Sequence, residues 1–127
     1  MRIWPPGGIA LGKRTYIYYA RIQKTEGNGP WSFKDTGGGL AFADQPLGPY
    51  QRITTPAGHW QFPIEPVHVL PVGPTDHPTL YLYEVRGEEP RKGLSLGRVA
   101  PADIQNPAAY QFFSGIDSRG HPVWTAD

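Results

Sequence analysis

The sequence contains no cysteine, has no long apolar run and carries almost no net charge. Its 127 residues include no cysteine, which excludes disulfide bonds and thiolate metal sites but leaves the cellular compartment open. No stretch approaches the roughly 18 consecutive apolar residues of a membrane span. The formal net charge is only +1, so the composition indicates neither a nucleic-acid partner nor an anionic membrane surface. The sequence therefore predicts no nucleic-acid partner and no membrane partner.

Glycine, proline and aromatic residues are abundant. The chain has 16 glycines and 15 prolines, and aromatic residues make up 13% of it. Glycine and proline interrupt long helices, whereas aromatic side chains favour the pleated surface of a sheet. At this length the chain is expected to form a single all-β domain, residues 1–127, with one modest core.

The clearest local pattern lies at residues 39–44 (GLAFAD), followed by a turn and a second strand at 50–54. Leu40 and Phe42 alternate with alanines, as expected for a strand. Pro46 and Pro49 then favour a turn. Similar segments recur later in the chain: residues 93–98 match 39–44, residues 79–85 match 15–21, and the pair at 110–111 matches that at 50–51. This recurrence predicts a duplicated sheet unit.

Each predicted unit is a four-stranded antiparallel sheet. The first unit, 7–54, has strands at 9–11, 15–22, 39–44 and 50–54. The second unit, 66–113, has strands at 66–70, 79–85, 94–99 and 109–113, with a possible helical turn within 101–107. A tail follows at 114–127, where Val123 and Trp124 could begin a further strand.

Four-stranded units of this size are typical of β-propeller blades. Two blades are too few to close a propeller, so apolar faces would stay wet at a cost of about 25 cal/mol per Å². The sequence therefore predicts a homo-oligomer, in which a twofold pair supplies four blades and a threefold set supplies six. A fragment of a longer propeller and a β-sandwich are the alternatives.

Several segments resemble the five-bladed β-propeller glycosidase superfamily, which includes arabinanases, xylosidases and fructan-acting enzymes. In the first half these are residues 4–9 (WPPGGI), 16–19 (YIYY), 39–44 (GLAFAD) and 47–50 (LGPY). In the second half, residues 96–99 (LGRV) and 109–113 (AYQFF), with a late Trp124, are similar to an uncharacterised branch of the same superfamily. The resemblance covers about two blades and implies a module that acts on or binds a polysaccharide, for example an arabinan.

Glycoside hydrolysis commonly uses two carboxyl groups, and three candidates stand out. The resemblance implies that Glu65 is the general acid, because it partly matches the family's acid before a blade-start proline; the alternative is a surface glutamate. Asp44 ends the central strand and could reach a site or cap the following turn. Glu84 lies on an apolar strand face, where it could serve a site or form an ion pair with Arg86 or Arg98. No acid precedes Glu26, so the family's N-terminal base is missing.

Aromatic residues in loops are candidate sugar platforms, since their faces suit the C–H faces of sugars. The candidates are Trp31 and Trp60 together with the neighbouring His59, whereas Trp4 and Trp124 are expected to pack at sheet ends. The histidines lack metal-ligand spacing, so we expect no metal and no cofactor. Three functions follow: a glycosidase-like module, a non-catalytic carbohydrate-binding module, or a self-assembling propeller fragment without activity.

Overall fold

The computed structural model describes residues 2–54, Phe62, 65–86 and 93–126, and every regular element longer than three residues in these ranges is a strand. The chain divides into two compact units, Met1–Glu65 and Pro66–Asp127. Each unit is built on one antiparallel sheet. The all-β prediction with two antiparallel sheets is therefore confirmed. None of the described helical segments is long and apolar enough to cross a membrane.

The first sheet has four strands in sequential order. They are β1 (Arg2–Leu11), β2 (Arg14–Lys24), β3 (Phe33–Ala43) and β4 (Gln51–Arg52). Strand β1 is much longer than the predicted 9–11, although it contains two prolines. It lies at the sheet edge, and its register shifts between Trp4 and Gly7. An edge strand with an irregularity accommodates proline because fewer of its N–H groups are needed for pairing.

The first sheet is buried on both sides of β2. Tyr18 and Tyr19 are consecutive, so they point to opposite faces, and both are almost fully buried. Tyr18 lies opposite Leu40 and contacts the ring of Phe62 edge-on, with ring centroids 6.0 Å apart. Phe62 is held there because its N–H donates to the carbonyl of Gly38.

The second sheet has five strands in sequential order, not the four that were predicted. They are β5 (His68–Val72), β6 (Thr79–Arg86), β7 (Gly93–Val99), β8 (Gln111–Ile116) and β9 (Pro122–Thr125). The predicted tail is thus part of this sheet, because β8 continues to Ile116 and β9 pairs with it. The predicted strand at Val123 and Trp124 is confirmed. Between β7 and β8 the chain forms two 3₁₀ turns, Pro101–Asp103 and Pro107–Ala109.

The matching strands recur in the predicted order, but the hydrogen-bonded register differs from the sequence match. Tyr18 pairs with Leu40, whereas the matching Leu82 pairs with Gly97. Leu94 is the residue that matches Leu40 in sequence, but it pairs with Val85. The third strand of the second sheet is therefore displaced by three residues relative to that of the first, because glycine and leucine positions repeat within 93–97 and allow several alignments.

Candidate functional site

Three aromatic side chains lie together at the far end of the β2–β3 hairpin. Trp31 is 80% exposed, and its ring centroid lies 6.0 Å from that of Phe33. Phe33 meets Trp4 of β1 edge-on, with centroids 4.7 Å apart and planes at 70°. We call Trp4, Trp31 and Phe33 the aromatic cluster. An exposed tryptophan supported by two further rings is a feature of binding surfaces.

The turn that carries Trp31 is fixed by short-range hydrogen bonds. The N–H of Thr25 donates to the carbonyl of Ser32, and the N–H of Ser32 donates to the carbonyl of Gly29. The hydroxyl oxygen of Ser32 accepts from the N–H of Gly29 at 3.1 Å. The N–H of Phe33 donates to the carbonyl of Trp31 at 2.8 Å. These bonds close the hairpin end and hold Trp31 beside Phe33.

A cleft of about 380 Å³ lies beside the cluster. Strand register explains its composition, because Arg2 pairs with Ile22 and Lys24 pairs with Phe33, which places all four side chains on the same face. The cleft is lined by Arg2, Trp4, Ile22, Lys24, Gly29, Pro30, Ser32 and Phe33. It therefore combines aromatic rings, a hydroxyl group and two cations.

Glu65 lies on the same sheet face, against Gly38 in the middle of β3, and Gly38 pairs with the Ala20 that also pairs with Trp4. It is half-buried, and a Cβ atom at position 38 would lie 2.6 Å from its Cγ and 3.1 Å from its Oε1. The absent side chain of Gly38 thus makes room for Glu65 near Phe62. Position 38 pairs with Ala20, so Glu65 is on the face that carries Tyr18.

Asp44 is exposed and forms an ion pair with Arg14. Its Oδ1 accepts from Arg14 Nε at 3.0 Å. Hydrogen bonds to Tyr16 and to Asp44 raise the pKa of Arg14. The prediction that Asp44 caps the following turn is wrong, because Gln45 does so: its side-chain amide donates to the carbonyl of Gly48 at 3.0 Å.

Glu84 is 7% exposed and is the buried charged residue of the described chain. It shares its face of β6 with Leu80 and Leu82, as the sequence predicted. Arg98 does not share that face, because it pairs with Tyr81. Its Nε donates instead to Gln111 Oε1 at 2.9 Å, and its guanidinium carbon lies 4.1 Å from the ring centroid of Trp124. The proposed Glu84–Arg98 pair is therefore wrong, and the Arg86 side chain lies outside the described residues.

The candidate carboxylates of the first unit lie apart. Glu65 is beside Gly38, and Asp44 follows six residues further along the extended chain, roughly 20 Å away at the strand rise. An acid and a base that act on one glycosidic bond lie about 5 to 10 Å apart. Glu84 belongs to the other unit. Within the described ranges, no group of three or more potential metal ligands occurs.

Two predicted binding residues, His59 and Trp60, lie outside the described residues. Trp31 is the predicted platform that the structure describes, and it is exposed as expected. The predicted strands 9–11, 15–22 and 39–44 exclude Arg2, Lys24 and Phe33, so the sequence did not point to these residues. The available signal for Lys24 was its two-residue spacing from Ile22, which extends the same face of the strand by one more pair.

Two buried polar side chains, those of Tyr19 and Arg21, lie on the opposite face of the first sheet. The ring of Tyr19 crosses Gly39, where a Cβ atom would be only 2.2 Å from the ring. The Tyr19 hydroxyl and Arg21 Nε are buried without hydrogen bonds of normal geometry in the described structure. Burial raises the pKa of Tyr19, and this rise is partly offset by Arg52, through its charge and a polar contact, and by the charge of Arg21.

No protein-family model matches the chain, and a search of curated proteins found no similar sequence.

Proposed function

We propose that this protein is a polysaccharide-binding module that uses the aromatic cluster as its sugar platform. The observation that carries the proposal is the exposure of Trp31 beside Phe33 and the cleft. An aromatic face attracts the apolar C–H face of a sugar ring, while nearby polar groups fix its orientation. The hairpin hydrogen bonds hold the platform in place, which reduces the entropy lost on binding.

The positions of the carboxylates favour binding over hydrolysis. Asp44 is roughly 20 Å from the Gly38 neighbourhood of Glu65 and is already paired with Arg14. Asp44 is therefore too far away to act with Glu65 on one glycosidic bond. The non-catalytic function therefore needs fewer assumptions than the glycosidase function.

The test of binding is affinity electrophoresis of the full chain in gels that contain arabinan, xylan, fructan or polygalacturonate. We expect at least one polymer to retard the wild-type protein, and Trp31→Ala to reduce the affinity behind that retardation about tenfold or more, as for truncation of an anchoring tryptophan. Leu47→Ala is the matched control, because Leu47 is also highly exposed and lies in another turn. Retardation by none of the polymers, or unchanged retardation of Trp31→Ala, would contradict the proposal.

Hydrolysis is the second candidate, and the partial burial of Glu65 is the observation that favours it. Glu65 is half-buried over Gly38 and occupies the space that a side chain at position 38 would fill. If Glu65 is a general acid, release of reducing ends from the retarded polymer should occur with the wild-type protein and be lost in Glu65→Gln. Release that persists in Glu65→Gln would remove Glu65 from that role.

We further propose that the two sheets are blades of a β-propeller that copies of the chain complete. The sequential order of β1–β4 and of β5–β8 is the order of a propeller blade. The second sheet also exposes Leu70, Val85 and Leu94, which association would cover. Sedimentation should give the mass of two or three copies. A monomer at high concentration would contradict closure by self-association and would favour a β-sandwich.

A further inference from the structure

The cleft beside the aromatic cluster is positively charged. Arg2 and Lys24 both line it, and strand register places both on the Phe33 face. They belong to neighbouring strands and lie two strand positions apart, or roughly 7 Å along the strand direction. Both side chains are exposed, so their charged groups are accessible to a ligand in the cleft.

No carboxylate is among the described residues that line the cleft. Asp35 is opposite Ile22 on the same face but is not among the residues that line the cleft, and its Oδ1 accepts the N–H of Gly37 at 2.7 Å. Glu26 is exposed in the turn and is not a lining residue. A ligand in the cleft would therefore meet two cations at the wall.

We propose that the aromatic cleft selects an anionic polysaccharide, whose sugar rings stack on the aromatic cluster while its carboxylates bind Arg2 and Lys24. This inference rests on the proposed polysaccharide-binding function and specifies its ligand class. A guanidinium binds a carboxylate through paired hydrogen bonds, and an ammonium adds a point charge. Neutral sugars would use the rings but would leave both cations without a ligand partner. A uronic acid polymer uses both features.

The experiment compares polygalacturonate with the same polymer after its carboxyl groups are fully methyl-esterified. This pair keeps the sugar backbone and removes the charge. We expect the wild-type protein to bind the charged polymer about tenfold more tightly. Hydrogen bonds between ionised side chains and carboxylates are strong enough to produce a difference of this size. We also expect this preference to shrink as the salt concentration rises, because the ion pairs are exposed.

Arg2→Gln and Lys24→Gln are each expected to reduce binding of polygalacturonate and leave binding of the esterified polymer unchanged. Lys34→Gln is the matched control: it removes the same charge, but Lys34 pairs with Gln23 and points to the opposite face. Trp31→Ala should weaken binding of both polymers, because it removes the stacking surface that both use.

The outcomes separate this inference from the function on which it rests. Equal binding of both polymers, with Lys24→Gln unchanged and Trp31→Ala impaired, would overturn the charge preference and retain polysaccharide binding. Polygalacturonate binding that depends on Lys24 but not on Trp31 would overturn the stacking platform. Equal losses in Lys24→Gln and Lys34→Gln would show attraction by net charge alone and overturn the assigned site.

Discussion

The two sheets differ in how far they bury side chains at matching positions. In the first sheet, Tyr19 pairs with Gly39; in the second, the matching Tyr83 pairs with Leu96. Tyr19 is almost completely buried, whereas Tyr83 is only partly buried. A Cβ atom at position 39 would collide with the Tyr19 ring, whereas position 96 carries a full leucine side chain. In these two sheets a glycine partner accompanies the buried tyrosine and a leucine partner accompanies the half-buried one.

The two sheets also differ in the type of side chain on their buried faces. The first sheet buries Tyr16 and Tyr18 where the second buries Leu80 and Leu82. The two rings lie opposite the large residues Phe42 and Leu40 of β3, so that face is filled from both strands. The leucines lie opposite Val99 and Gly97 and alternate with more exposed residues. The first sheet should therefore be sensitive to added volume, and the second to removed volume.

The largest expected effect is a cavity in the second sheet. Leu82→Ala removes a fully buried side chain, and we expect the free energy of unfolding to fall by about 3 kcal/mol. Urea unfolding, followed by far-ultraviolet circular dichroism, measures the change. Leu94→Ala in the same sheet is the control, since Leu94 is exposed. Similar losses for both variants would show that alternation does not define the core of this sheet.

The next effect is crowding in the first sheet. Gly39→Ala adds a methyl group 2.2 Å from the Tyr19 ring, and we expect destabilisation of about 2 kcal/mol. Gly93→Ala has open space and should change stability little. Adding Tyr19→Leu to Gly39→Ala should recover part of the loss in urea unfolding. An unaffected Gly39→Ala variant would contradict the explanation from the cross-strand partner.

A smaller effect concerns the tyrosine that follows the turn in each unit. The Tyr110 hydroxyl donates to the carbonyl of Ile104 at 2.6 Å, and the Tyr50 hydroxyl donates to that of Pro46 at 2.7 Å. Tyr110 is buried and Tyr50 is exposed. Tyr110→Phe should therefore lower the free energy of unfolding by about 1 kcal/mol, and Tyr50→Phe by less than about half of that. Thermal unfolding measures both changes. The reverse ranking would show that burial does not set the strength of these bonds.

The smallest effect at neutral pH, with a distinct pH dependence, is expected for Tyr19→Phe. Burial raises the pKa of Tyr19 above its usual value of 10.0. Above pH 10 the unfolded chain therefore loses this proton more readily than the folded chain, so stability falls as pH rises. Tyr19→Phe should remove that part of the alkaline loss in urea midpoints measured from pH 8 to 11. Parallel curves for both proteins would contradict this assignment.

Much of the architecture was predictable from periodicity, and most of the site was not. Alternation in residues 15–22 and 79–85 located β2 and β6, because period-two burial is a local property of the sequence. Register was not local: it depends on which of several glycines opposes each large residue, as at Gly39 and Gly97. The extension of β1 through Pro5 and Pro6 also depended on its place at an edge.

The parts of the candidate site that depend on strand pairing were likewise not predictable from the sequence. Trp31 was identified because a tryptophan in a polar turn is conspicuous. Phe33 and Trp4 were not, because their contact joins two strands that are distant in sequence. Glu84 was correctly placed on the Leu80 face, but the opposite orientation of Arg98 followed only from the β6–β7 register.

The placement of the aromatic cluster at the hairpin end has a consequence for sequence change over time. Lys24 is six residues beyond Tyr18, or roughly 20 Å along β2 at the strand rise. Substitutions in residues 25–32 can therefore change the exposed surface around Trp31 while the central packing around Tyr18 stays intact. The turn and the core of this sheet can thus vary independently of each other.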